Sequence, residues 1–552
     1  MRNTISGQVF AEMIFCASAA LDENRQQLNE LNVFPVPDGD TGTNMSLTMS
    51  AASAALHGRT PSAVGDAADT AASALLRGAR GNSGVILSLL FRGLAKSLRG
   101  KAECSAADWA KAMCDGVDAA YKAVMKPAEG TVLTVSRCAS EAAVERSKAG
   151  VTDIEELLTD ALAVARETLA KTVDMNPVLK KAGVVDAGGQ GYVVILNAML
   201  LCLQGKFVAK APVTETKTSA EFSAINDEEI TFTYCTEFIV AREKKRNPEL
   251  LRSFLESLGD SLVLVEDDDI IKVHVHTDAP GRALTEALRY GPLQTVKIEN
   301  MRNQHTSLAD KETAAAPAAA QPEAEAKPEI APAEKEVGFV AVCAGDGMAD
   351  LFRSLGADRI VTGGQTMNPS TEDILREVNK TPASTVFVFP NNKNIIMAAE
   401  QCIPLTEKTV RVIPTRTVPQ GVAALAYMDP DQSPDDLEES FKESAARVHT
   451  ALVTYAARDS DYDGHIIHAG EYLALLDGKL LGSYASLPTL LKELNWAFGE
   501  LEPEFLTVYY GQDVTETDAN GVAESLTSCF PEADVSLVSG GQPVYYYMIA
   551  AE

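Results

Sequence analysis

The sequence predicts a multi-domain protein: an all-α, eight-helix antiparallel bundle or barrel first, a small α+β domain next, and an α/β domain last. Three features predict it. Over roughly the first 200 residues, apolar side chains recur at helical spacing with hardly a strand-like stretch. From Glu229 the pattern changes to alternation rich in β-branched and aromatic residues. Beyond an Ala/Pro/Glu-rich tract, short β-rich runs alternate with helical ones, the pattern of a parallel sheet covered by helices. The expected boundaries are 1–205, 206–310, a linker over 311–336, and 337–552.

In the first domain the expected helices cover 5–31, 44–57, 60–77, 82–98, 106–126, 130–148, 152–173 and 188–203. Phe10, Met13, Ile14, Ala17, Leu21, Leu28 and Leu31 make the apolar stripe of the first. Thr60 and Pro61 read as cap and first-turn proline of the third. Abundant alanine allows close helix approach, as an antiparallel bundle needs.

Composition narrows the function. A chain of 552 residues that is 46% hydrophobic and 23% charged is ordinary for a soluble protein of several domains. A net charge of −29 disfavours nucleic acid and anionic membranes as partners. The first residues lack an apolar signal core, and the longest apolar run, around 192–203, is too short to span a bilayer. Nine scattered cysteines fit a reducing compartment, so the expected location is the cytoplasm.

Three glycine-bearing loops interrupt the helices. In the first, Asp38-Gly39-Asp40-Thr41-Gly42-Thr43-Asn44, a turn brings two carboxylates toward one point. A lone Asp-Gly-Asp is most often a solvated turn. Two hard anionic oxygens with an asparagine also suit Mg²⁺, which fills its remaining positions with water and substrate phosphate. An EF-hand is excluded, because Thr43 and Met49 stand where that loop needs Gly and Glu. The second loop, Arg77 to Gly84, ends in Gly81-Asn82-Ser83-Gly84 and leads into a helix. It has neither the Gly-Lys-Ser/Thr of a P-loop nor the spacing of a nucleophile elbow. By itself it is a tight connection. In the third, Asp186 stands among glycines before the last helix, as an N-cap or as the lining of a nucleotide pocket. Each loop precedes a helix whose unpaired N–H groups can meet a phosphate.

In the middle domain, strands are expected over 229–240, 261–265, 270–276 and 295–299, and helices over 246–258 and 282–288. Cys235 and the pair His274, His276 are candidate zinc ligands, because period two sets both histidines on one strand face. The tract 311–336 cannot bury a core and reads as a disordered tether. In the last domain, strands at 337–342, 359–361, 385–389, 409–413 and 506–510 are expected to share the parallel sheet. Loops 363–370 and 390–394 sit at strand ends, where such folds bind ligands. A second subdomain, 434–481, should end in a hairpin turning at Asp477-Gly478. Arg416 and Arg458 could pair a carboxylate.

The acidic loop, the Gly-Asn-Ser-Gly at 81–84 and Val185-Asp186-Ala187-Gly188-Gly189-Gln190-Gly191 together resemble the dihydroxyacetone kinase L-subunit (DhaL) type. With Tyr-Cys-Thr-Glu-Phe at 234–238 and His-Val-His-Thr-Asp at 274–278, the whole chain resembles the ATP-binding large subunit of bacterial fatty acid kinase. That resemblance implies ATP and two Mg²⁺ ions on an eight-helix barrel, with Asp38 and Asp40 as catalytic metal-holding residues. Asn32 stands near the family's third aspartate, about one residue out of register. Thr41, Thr43, Asn44, Gly81, Asn82, Ser83 and Gly84 would meet phosphates, Thr131 the adenine side, and Asp186 the nucleotide. The resemblance strengthens the Zn²⁺ assignment to Cys235, His274 and His276. It implies a DegV-like last domain that docks a separate fatty-acid-carrier protein, with transfer of phosphoryl to the fatty acid carboxylate. The product would be an acyl phosphate for phospholipid synthesis. No general base stands out, and a carboxylate is already ionised at neutral pH. The expected assembly is a homodimer. The alternatives are a dihydroxyacetone-type small-molecule kinase and a non-catalytic nucleotide-sensing scaffold.

Overall fold

A computed structural model of the chain describes residues 2–32, 39–124, 127–207, 234–241, 248–256, 258–266, 270–300, 330–365, 367–429, 432–462 and 465–552. Two compact units result: Met1–Pro212 with Lys327–Glu552, and Val213–Ala326. The expected first and last domains thus lie in one unit.

The helical region runs β1 (Thr4–Ser6), α1 (Gly7–Glu23), α2 (Arg25–Glu30), α3 (Thr41–Leu56), α4 (Val64–Gly78), α5 (Gly81–Leu98), β2 (Glu103–Ser105), α6 (Ala106–Ala123), α7 (Val132–Lys148), α8 (Ile154–Met175), α9 (Pro177–Ala182) and α10 (Ala187–Leu203). Eight of these helices have 15 to 22 residues, while α2 and α9 have six each. Setting α2 and α9 aside, each long helix packs on the next, and α10 packs back on α1, so the eight close into a barrel. Phe10 and Trp109 meet edge to face in its core, with ring centroids 6.2 Å apart.

Up-and-down winding fixes the two ends. The starts of α1, α4, α6 and α8 share one end: β1 pairs with β2, Val64 N–H donates to Ala102 O at 2.9 Å, and Ile154 N–H to Arg2 O at 3.0 Å. The starts of α3, α5, α7 and α10 therefore share the other. Local chemistry sets the boundaries. Ser6 caps α1, and Ser105 with Asp108 forms a capping box on α6. The helix expected over 5–31 breaks at Asn24, whose side-chain amide donates to Ala20 O at 2.7 Å and competes with the backbone ladder. Thr60 and Pro61 do not start α4. The carbonyls of Pro61 and Ala63 lie against Gly7, where a Cβ would come within 2.5 Å of both. The helix therefore begins only at Val64.

The second unit contains β3 (Tyr234–Ala241), α11 (Pro248–Glu256), β4 (Gly259–Glu266), β5 (Ile270–Thr277), α12 (Pro280–Ala287) and β6 (Leu293–Asn300). The strands form one antiparallel sheet in the order β4-β5-β3-β6, the α+β arrangement expected. Phe238, Val240, Leu251, Leu255, Val273, Val275 and Tyr290 make its core.

The C-terminal region begins with β7 (Lys335–Cys343), α13 (Asp346–Ser354), β8 (Arg359–Thr362), α14 (Thr371–Lys380), β9 (Ala383–Phe389), α15 (Ile396–Glu400), β10 (Thr409–Val412) and α16 (Val418–Ala426). Its strands form a parallel sheet, order β10-β9-β7-β8. Then come α17 (Pro434–Arg447), β11 (His449–Tyr455), β12 (Ser460–Tyr462), β13 (His465–Ile467), β14 (Tyr472–Leu476), β15 (Lys479–Tyr484), α18 (Leu487–Gly499), β16 (Phe505–Tyr510), α19 (Glu516–Cys529), β17 (Asp534–Ser539) and β18 (Tyr547–Ala551). A six-stranded mixed sheet takes the order β15-β14-β11-β18-β16-β17. The strand over 506–510 belongs here, antiparallel to β18, and not to the parallel sheet as expected. The β14–β15 hairpin turns at Asp477 and Gly478, both at positive φ, as a two-residue Asp-Gly turn requires.

Helices α5 and α6 cross without room for a side chain. A Cβ at Gly93 would lie 2.4 Å from Asp115 O, and one at Gly116 would lie 2.4 Å from Leu90 O. Gly116→Val should cost about 1–3 kcal/mol by overpacking, read as a lowered denaturant midpoint.

Candidate functional site

The acidic loop leads directly into α3, which starts at Thr41 and so takes Thr43 and Asn44 into its first turn. Asp40 is the N-cap, but its side chain does not cap. Asn29 of α2 does that work, accepting Thr43 N–H at 3.1 Å and donating to the Thr43 hydroxyl at 3.1 Å. The Asp40 carboxylate is engaged elsewhere. Asn32 is committed to the loop itself: its side-chain oxygen accepts the Thr41 hydroxyl at 2.9 Å. Asp38 lies outside the described residues.

The second loop meets the first. Gly81 opens α5 at φ +57, where an added Cβ would lie 2.5 Å from the Asn44 side-chain amide. At Gly84 a Cβ would lie 2.4 Å from Thr48 Oγ1. That hydroxyl accepts Arg80 N–H at 3.2 Å and donates to Asn44 O at 2.6 Å. Asp40–Asn44 and Gly81–Gly84 are thus packed against each other at the barrel mouth. Asn82 and Ser83 are half-buried there, and the Asn82 amide oxygen is buried without a donor among the described residues.

The other two helix starts are tied together by Asp186. Its carboxylate accepts Gly189 N–H at 2.6 Å, capping α10, and also accepts the N–H of Val132, the first residue of α7. Its own N–H donates to Thr172 at 3.1 Å. Burial pushes its pKa up to about 6, and the two N–H donors oppose that rise. Thr131 precedes α7, and its hydroxyl donates to Ala128 O at 2.8 Å. Gly191 lies against Met45, so α10 runs beside the helix that carries Asn44.

The sequence reading missed part of the mouth. Asn368, from the loop between β8 and α14, donates its amide to the Asp40 carboxylate and approaches Asn44 Oδ1 at 3.5 Å. Arg80 donates to Asn368 O at 2.7 Å and pairs with Asp373 at 3.5 Å. Among the described residues Arg458 forms no ion pair; it donates to the backbone carbonyl of Asn32 at 2.8 Å. The available signals were the positions of 363–370 and 390–394 at strand ends; Asn394 of the second accepts the Asn82 amide at 3.4 Å.

The donors around Asp40 and Asn44 are hard oxygens, which fit Mg²⁺ by type. In the second unit, backbone register sets Cys235 opposite His276 and Glu237 opposite His274. The side chains of Cys235, His274 and His276 lie outside the described residues. Among the described residues no group of three or more His, Cys, Asp or Glu is placed to hold a metal.

Residues 35–201 match the DAK2 domain, 231–308 the FakA-like fatty acid kinase middle domain, and 338–552 the FakA-like fatty acid kinase C-terminal domain. Protein YloV of Bacillus subtilis is 40% identical over 564 residues, spanning 100% of this chain and 99% of that protein. This chain belongs to the FakA-like fatty acid kinase family. Uncharacterized protein SSP1546 of Staphylococcus saprophyticus is 37% identical over the full length of both chains. Among solved structures, the DegV family protein Cg2579 of Corynebacterium glutamicum is similar over 39% of this chain and 96% of its own, at 12% identity and a TM-score of 0.30. Among the described residues no helix is long and apolar enough to cross a membrane.

The raised pKa of Asp186 has a definite sign. Between an ordinary carboxylate value and about 6 the folded chain holds a proton there that the unfolded chain has lost. Stability from this group is therefore full below the ordinary value and declines as pH rises through 6. Thermal unfolding of wild type and Asp186→Asn from pH 7 to 4 should show the difference moving in favour of wild type as pH falls.

Proposed function

We propose that this chain is the ATP-dependent subunit that phosphorylates the carboxylate of a fatty acid presented by a separate DegV-type carrier protein, giving an acyl phosphate used in phospholipid synthesis. One observation carries the reading: four helix N-termini meet at one barrel mouth, one headed by the Asp40 carboxylate and one opened by Gly81. Unpaired N–H groups and aligned peptide dipoles at such ends attract phosphate.

In this reading the first turns of α3 and α5, with Thr41, Thr43, Asn44, Asn82 and Ser83, hold phosphate oxygens. Gly81 and Gly84 permit close backbone approach. Thr131 and Asp186 border the nucleotide on the side of α7 and α10. Asp40, Asp38 and Asn32 are the residues to hold Mg²⁺, whose charge offsets that of the phosphates when bound. The acceptor carboxylate is already ionised, so positioning and charge neutralisation suffice without a general base.

The rest of the chain follows the same reading. Zn²⁺ at Cys235, His274 and His276 is supported by the ladder register of Cys235 and His276. The proposed domains remain 1–205, 206–310 and 337–552; of the proposed tether 311–336, Lys335 and Glu336 form the start of β7. The last domain docks the carrier, and the chain acts as a homodimer in the cytoplasm.

Full-length chain should consume ATP with Mg²⁺ and a fatty-acid-loaded DegV-type carrier, and should not with dihydroxyacetone. Asp40→Asn should lower that rate by about 100-fold or more while keeping the unfolding temperature, because it removes charge that phosphoryl transfer needs. No turnover with the loaded carrier, or turnover with dihydroxyacetone, would end this reading.

A further inference from the structure

Asn368 is 328 residues from Asp40, yet it is 1% exposed and its amide lies within the barrel mouth. The placement is fixed from both sides. Arg80, at the start of α5, holds the Asn368 carbonyl at 2.7 Å and pairs with Asp373. Thr371 N–H donates to Ala79 O at 3.0 Å, and Arg80 and Ser370 form an isolated antiparallel bridge. Ser370 and Asp373 form a capping box that starts α14, and Gly364 N–H donates to Met367 O at 2.9 Å across the loop. The amide is therefore delivered to Asp40 by a braced loop.

We propose that Asn368 is a positioning residue of the barrel-mouth site, so that the C-terminal region completes that site in cis. This rests on the reading of Asp40 as a magnesium–nucleotide residue. A bond from an amide to a carboxylate is charge-assisted and directional. It fixes the rotation of a group that α3 itself does not use as a cap. A carboxylate offers about four acceptor positions, and the Asn368 amide takes one of those of Asp40. Hydrogen bonds of this kind behind a metal-holding carboxylate typically carry about 10–100-fold in metal affinity or activity. The same loop ties the nucleotide end of the barrel to the region proposed to receive the carrier.

The test uses full-length wild type, Asn368→Ala, Asn368→Leu and Leu375→Ala. Leucine matches asparagine in shape but cannot donate, which keeps the test valid if the alanine variant fails to fold. Calorimetric titration with Mg²⁺ at a fixed level of a non-hydrolysable ATP analogue gives the magnesium concentration for half-maximal nucleotide binding. That value should rise about tenfold or more in both Asn368 variants. Leu375→Ala thins the hydrophobic core that joins α14 to the barrel, away from the metal-holding residues, and should move it less than about threefold. An unchanged value in both Asn368 variants overturns the inference, and so does a lower one, which would make the loop an obstruction. An equal rise in Leu375→Ala would also overturn it, since the cause would then be loosened docking. If wild type itself binds no nucleotide with Mg²⁺, the proposed function falls and this inference falls with it.

Discussion

Winding eight helices up and down around a closed ring forces four helix starts to one end, and each start brings backbone N–H groups without an intrahelical acceptor. The chain meets that demand unevenly. At α3, Asn29 supplies the cap that Asp40 would otherwise give. At α7 and α10, one buried carboxylate, Asp186, serves both helices. At α5 the helix opens with Gly81 in a left-handed conformation and no side-chain cap at all. The starts of α3 and α5 are packed against each other. A net charge of −29 opposes anion binding at long range, so a phosphate site here must work through short-range dipoles and a cation.

The second constraint comes from the other end of the chain. Loop 367–371 adds no catalytic group of its own, but it enters the mouth through contacts that start and end on α5 and α3. Arg80 is central, because its backbone belongs to the α5 start and its side chain grips both Asn368 and Asp373. The barrel mouth and the parallel sheet therefore form one continuous structure within the first unit.

Much of this was legible in the sequence, and for physical reasons. Long helices with a regular apolar stripe have few competing structures, so the eight-helix count survives. The Asp477-Gly478 hairpin was readable because few dipeptides take two successive positive φ values. The loops before α3, α5 and α10 stood out by their glycines, and Asp186 proved to be the cap its position suggested. What failed was what local spacing does not encode. The break at Asn24 depends on a side-chain amide outcompeting the ladder. The late start of α4 depends on Gly7 from a distant helix. Asn368 could not be found from local pattern, because its partner Asp40 lies 328 residues away.

Hydrogen exchange on the full-length chain, with and without Mg²⁺ and a non-hydrolysable ATP analogue, tests the central claim most directly. Slowed exchange concentrated at amides 41–46 and 81–86 is the predicted result. Nucleotide binding that leaves those two helix starts unchanged, with protection appearing elsewhere, would contradict it.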